Sequence, residues 1–135
     1  SKVACDGNNL CFYAQTAADL TPETDKNWML LFIDADQNVQ TGWSGYDYMV
    51  SQQMLCRYDK DIDGWTEVCP VQMAKSGNAL EMSLSRSSLG LKGGKMSFDF
   101  KWADNPASLD DVISLCTHGD TAPNRRFNFR YIWKK

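Results

Sequence analysis

Apolar and polar side chains alternate with period two in short runs along most of the chain, and this pattern restricts the fold to antiparallel sheet. In "ALEMSLSR" (79–86), Leu80, Met82 and Leu84 alternate with Glu81, Ser83 and Ser85. "KMSFDFKWAD" (95–104) sets Phe98, Phe100 and Trp102 against Asp99 and Lys101, and "RFNFRYIW" (126–133) sets Phe127, Phe129 and Tyr131 against Asn128 and Arg130. Successive strand residues point to opposite faces, so each run offers one face to a core and the other to water. "NLCFYAQT" (9–16), "GYDYMVSQQMLCRY" (45–58) and "WTEVCPVQMA" (65–74) read as further strands, with turns at "DKDIDG" (59–64) and "SGN" (76–78). "WMLLFIDAD" (28–36) differs, being apolar on both faces as far as Asp34, which predicts a strand covered from both sides. Helical periodicity is nearly absent. "TPETDKN" (21–27), with Thr21 as a cap and Pro22 at the first position, and "SRSSLGL" (85–91) suit single turns, while "DDVISLC" (110–116) suits a strand or a helical turn. The expected fold is all-β: an antiparallel, jelly-roll-like sandwich of eight or so strands with very little helix. With no linker, repeat or low-complexity segment, residues 1–135 read as one domain.

Length and charge narrow the function classes. A chain of 135 residues buries a sizeable core, and 43% hydrophobic with 23% charged residues is ordinary for a folded domain. The formal net charge is -3, and basic residues are scattered apart from Arg125-Arg126 and Lys134-Lys135, which argues against a nucleic-acid surface. No stretch is long and apolar enough for a membrane-spanning helix. The chain begins at Ser1 without a signal peptide, as expected of a processed or excised piece. The five cysteines, Cys5, Cys11, Cys56, Cys69 and Cys116, contain no Cys-x-x-Cys pair, and His118 is the only histidine, so zinc is not expected. The thiols read as small buried hydrophobes; if a bridge forms, Cys56 with Cys69, flanking a hairpin, is the expected pair.

Enzymatic constellations are missing, and no catalysis is expected. His118 sits in the loop-like "CTHGD", a poor setting for a catalytic base. "GLKGGK" (90–95) lacks the spacing and the helix of a phosphate loop. Paired carboxylates of the glycosidase kind leave no linear signature, because their separation is set by the fold.

Oxygen ligands are plentiful. "DADQNVQTGW" (34–43) places Asp34, Asp36 and Asn38 at alternate positions, as a calcium loop does, but Val39 and Gly45 occupy the sixth and twelfth positions, where an EF-hand has Gly and Glu. Some other calcium loop at Asp34, Asp36 and Asn38 is the expectation, set against a plain polar turn, since Asp and Asn also bond their own backbone. "DKDIDG" supplies Asp59, Asp61, Asp63 and Gly64, yet its twelfth position is Pro70, and a solvated Asp-Gly hairpin accounts for it. Asp104, Asn105, Asp110 and Asp111 of "ADNPASLDD" (103–111) could supply a further acid, and turn chemistry explains them equally.

Five tryptophans are the other signal: Trp28, Trp43, Trp65, Trp102 and Trp133. Aromatic faces suit the apolar C–H surface of a pyranose, and polar neighbours fix its hydroxyls. Trp28 and Trp102 lie in register with apolar neighbours and read as core. Trp43, in a polar loop, and Trp65, just after a turn, are the candidate ligand contacts. Asp47, Lys101, Asn128 and Arg130 would join them if the fold brings them to one concave face; otherwise they are a solvated outer sheet.

The run "NWMLLFIDADQNVQTGWSGYDYMV", then "FKWADN", then "GDTAPNRRFNFRYIW", resembles the β-sandwich domains appended to bacterial polysaccharide-degrading enzymes, similar to family 9 carbohydrate-binding modules and the wider DOMON-like group. The likeness spans roughly Phe12 to Trp133. It implies a non-catalytic, often calcium-bearing module that holds a polysaccharide or its chain end for a linked catalytic domain, secreted, periplasmic or on the cell surface. The family's clamp of two tryptophans is not aligned here, and the cysteines depart from its pattern. Two other expectations stand beside it. One is an accessory sandwich that packs on a catalytic neighbour without binding sugar. The other is a DOMON-type domain carrying haem or sugar, with Met and His118 as axial ligands to haem.

Overall fold

The computed structural model describes residues 2–15, 29–38, 40–43, 45–91, 95–104, 120–122 and 128–134. The described residues form two antiparallel sheets. The first has the order β1 (Lys2–Cys5), β2 (Asn9–Gln15), β8 (Ala79–Ser85), β7 (Gln72–Ser76). The second runs β10 (Asp120–Ala122), β9 (Lys95–Asp104), β3 (Leu30–Asp34), β4 (Tyr48–Ser51), β5 (Met54–Asp59), β6 (Gly64–Pro70), with β11 (Phe129–Lys134) on the same edge of β9 as β10. The only helical element among the described residues is one 3-10 turn, Ser87–Leu89, within the predicted 85–91 segment.

The inner faces of the two sheets form the main core. Leu10, Phe12, Ala14, Leu80, Met82 and Leu84 from the first meet Leu31, Ile33, Val50, Leu55, Phe98, Phe100 and Trp102 from the second. Phe12 is the hinge of this contact, its ring centroid 5.8 Å from Phe98 and 5.4 Å from Phe100, the latter edge-on. Both geometries are favoured by aromatic quadrupoles.

β3 is buried along its whole length, as its apolar faces require. Leu31 and Ile33 enter the main core, while Leu30 and Phe32 face away and seed a second cluster with Tyr46, Met49 and Ala103 on the outer side of the larger sheet. That cluster explains why the outer face is not simply a solvated one.

Several expectations are corrected by the register. The run 45–58 is two strands, joined at Gln52 and Gln53 with φ of 52° and 64°. A two-residue hairpin of this kind normally recruits Asn or Gly, so the turn carries no sequence flag. The run 65–74 also divides, at Val71, where the chain leaves the larger sheet for the smaller one. Cys56 and Cys69 are free thiols and not the expected bridge. Cys56 stands opposite Glu67 and Cys69 opposite Leu55, so the two side chains take different faces of the β5–β6 pair, which has a bulge between Leu55 and Cys56. Trp28, Asn105, Asp110, Asp111, Cys116, His118, Phe127 and the segments 21–27 and 110–116 lie outside the described residues.

Candidate functional site

β3 ends in Asp34, still in register with Asp99 of β9, and the chain then makes a polar loop before β4. The loop returns to its origin because the Asp47 amide donates to the Ile33 carbonyl at 2.8 Å. Asp47 then ties the loop from inside: its Oδ2 accepts the Ala35 amide at 2.9 Å and the Asp36 amide at 3.4 Å. The Asn38 amide donates to Asp34 Oδ1 at 3.3 Å and to Asp36 Oδ1 at 3.0 Å. The Thr41 hydroxyl reaches Asp36 Oδ2 at 2.6 Å and lies 3.3 Å from Asp47 Oδ1.

These bonds gather three carboxylates. One oxygen each from Asp34, Asp36 and Asp47 lies within 4.8 Å of the others. Like charges this close cannot all stay ionised without compensation. Burial, a hydrogen bond to Asp36 and the charge of Asp47 push Asp34 up to about 7. Burial and the charge of Asp36 also raise Asp47, against the pull of the Asp36 and Ala35 amides. Asp36 is likewise pushed up by burial, but the Thr41 hydroxyl, the Asp34 carboxyl and the Asn38 amide outweigh this and hold it below the ordinary carboxylate range. Asp34 therefore releases its proton only near neutrality, well above the ordinary carboxylate range. A hard divalent cation favours hard oxygen donors, and Asp34, Asp36 and Asp47 are the described residues that could hold one. The expected Asn38 lies in the loop, but its side-chain oxygen accepts the Gln40 amide at 2.9 Å and it contributes its own amide to the carboxylates. Asp47, read from sequence as a sugar contact, stands with the acids.

Beyond the loop lies an aromatic patch. Trp43 and Tyr46 exchange backbone hydrogen bonds of 2.8 and 3.0 Å, a tight reversal that turns both rings onto the outer face of the larger sheet. Trp43 stacks on Phe32 at 5.6 Å and 28°. Trp65 of β6 comes edge-on to Trp43 at 6.2 Å and to Tyr58 at 5.4 Å. Both indoles are half-buried. The two tryptophans singled out from sequence thus meet, although 22 positions apart in the chain.

The polar candidates divide. Asn128 accepts the Tyr46 hydroxyl at 2.7 Å and so borders the patch. Arg130 grips Asp99 with two bonds, 2.8 Å from Nε and 3.2 Å from a terminal nitrogen, and Gln37 adds a third at 3.1 Å. Burial raises Asp99, but these partners overcome it and hold its carboxyl below the ordinary value. Lys101, opposite Phe32 in the sheet, is fully buried at 0% exposure and presents no surface to a ligand. Its alternating position marked the correct face, but sequence gave no sign that Leu30, Phe32 and Ala103 make that face a second core. Comparison with known protein families, with curated proteins and with solved structures gives no match.

Proposed function

We propose that this chain is a non-catalytic carbohydrate-binding module that holds a polysaccharide or its chain end for a linked glycan-degrading domain, with calcium bound at Asp34, Asp36 and Asp47 as a stiffener of the loop. The observation that carries the reading is the meeting of Trp43 and Trp65 on one sheet face, half-exposed and bordered by Asn128. An aromatic surface with a polar rim matches the two-sided chemistry of a pyranose. The loop that presents Trp43 is the same one that gathers the carboxylates, so a cation there would fix the indole in place. Binding outside the cell, where calcium is abundant, accords with this reading.

One observation favours an accessory role without sugar: both tryptophans pack on Phe32 and are half-buried, which leaves less of each ring to cover a sugar. Affinity gels and a glycan array of plant and host polysaccharides separate the two. Retardation by a glycan, abolished in Trp43→Ala or Trp65→Ala while circular dichroism is unchanged, supports the module. Absence of binding across the array leaves the accessory role.

A further inference from the structure

Beside the carboxylate loop, at one end of the sandwich, lies a cleft of about 420 Å³, within the span of small-molecule sites. Asp36 and Asp47 line it together with Arg57 and Lys60, and Tyr48 adds a hydroxyl. Opposed charges lining one cleft would be expected to pair, yet neither Arg57 nor Lys60 makes an ion pair among the described residues. The acids bond within their own loop instead: Asp47 accepts the amides of Ala35 and Asp36, and Asp36 accepts the Thr41 hydroxyl. Two exposed cations are left on the cleft. Asp36, also exposed, has used only part of the hydrogen-bonding capacity of its carboxylate.

The cleft adjoins the aromatic patch. Gly42, the residue before Trp43, and Tyr58, whose ring packs edge-on against Trp65, both line it. Arg57 pairs with Tyr48, which packs on the main core, so the cleft is reached from the tryptophans around the end of the sheet.

We propose that this cleft binds a carboxylated sugar unit, a uronate, with Arg57 and Lys60 on its carboxylate and Asp36 accepting from its hydroxyls. The planar guanidinium fork matches a carboxylate. The inference rests on the carbohydrate-binding reading and narrows it to acidic glycans.

The test is calorimetric titration of the whole chain with oligogalacturonate and with the same oligosaccharide after carboxyl reduction. The wild type is expected to bind the acidic form about tenfold or more tightly at low salt, the difference a charge-assisted contact provides. Arg57→Gln/Lys60→Gln is expected to remove that preference, with the melting temperature unchanged. Equal affinity for the two forms, or a preference that survives the double substitution, overturns the uronate site while leaving the module reading intact. Displacement of oligogalacturonate by an equal concentration of inorganic phosphate would make the cleft a simple anion site and also overturn it. Failure of either saccharide to bind, with the neutral polysaccharides of the array equally inert, removes both readings.

Discussion

Gly42 lies against the backbone carbonyl of Tyr46: a Cβ at position 42 would overlap its oxygen and stand 2.6 Å from its carbon. Gly42 also has φ of 69°, where a side chain is strained. This close approach permits the reciprocal Trp43–Tyr46 bonds and holds Thr41 against Asp36. Gly42→Ala is therefore expected to lower stability by about 1–3 kcal/mol, the usual cost of forced backbone strain. Urea unfolding measures it. Because one loop carries both Trp43 and the acids, glycan binding should weaken in the same variant. An unchanged midpoint would mean that the reversal relaxes without cost.

Core and surface contacts should separate sharply in their cost. Phe98 is fully buried and packs on Phe12, Phe100 and Tyr131 at 5.8, 6.1 and 5.4 Å. Phe98→Ala should cost about 3–5 kcal/mol through lost burial and the cavity left behind. Arg130, whose side chain is 60% exposed, should change the midpoint little on substitution by Ala, despite its two bonds to Asp99. Denaturant midpoints of the two variants check the ranking, and a reversed order would contradict the two-layer core.

The carboxylate loop predicts an unusual pH dependence in chelator. Asp34 is raised from an ordinary value of 3.8 to about 7 in the folded chain, first by burial and then by Asp36 and Asp47. Between those values the folded state holds a proton that the unfolded state has released. Stability from this group therefore falls as pH rises from about 4 to about 7, and is flat above. Asp47, also raised, acts in the same direction. Asp99 and Asp36 are held down, so their contribution is lost only as pH falls through values below about 4, a separate window. Asp34→Asn keeps an oxygen for the Asn38 amide and offers a nitrogen towards Asp36, as the protonated acid does. Melting curves in EDTA should slope downward from pH 4 to 7 for the wild type and be flatter for this variant. Parallel curves would show that Asp34 titrates normally.

Fold class was legible because period-two alternation is local: Leu80, Met82 and Leu84, or Phe98, Phe100 and Trp102, declare a face within a few residues. β3 declared its double burial in the same way. The divisions between strands were harder to read, since the Gln52-Gln53 turn uses residues with no turn preference. The site was legible only in part. Trp43 stood out by its polar loop and Trp65 by its place just after a turn. Asp47 was assigned to another role because its place beside Asp34 depends on the return of the chain to Ile33, a contact between elements. Lys101 was given the correct face, but its burial follows from Phe32 across the ladder.

Calcium should act on this loop in competition with the proton. One oxygen each from Asp34, Asp36 and Asp47 lies within 4.8 Å of the others, and Asp34, raised to about 7 first by burial, keeps its proton below that value. A bound cation would replace that proton, and the unfolded chain has no assembled site, so the ion stabilises by mass action, about 2.7 kcal/mol at a hundredfold excess over its dissociation constant. The calcium-induced rise in melting temperature should accordingly be large at pH 8 and small at pH 5, where Asp34 is protonated. Asp36→Asn and Asp47→Asn should each reduce it at pH 8, because each removes one of the three negative charges. Differential scanning calorimetry in calcium and in excess EDTA measures the difference at both pH values. Coincident melting temperatures at pH 8, with no metal in elemental analysis of the calcium-dialysed protein, would leave the three acids as a hydrogen-bonded turn.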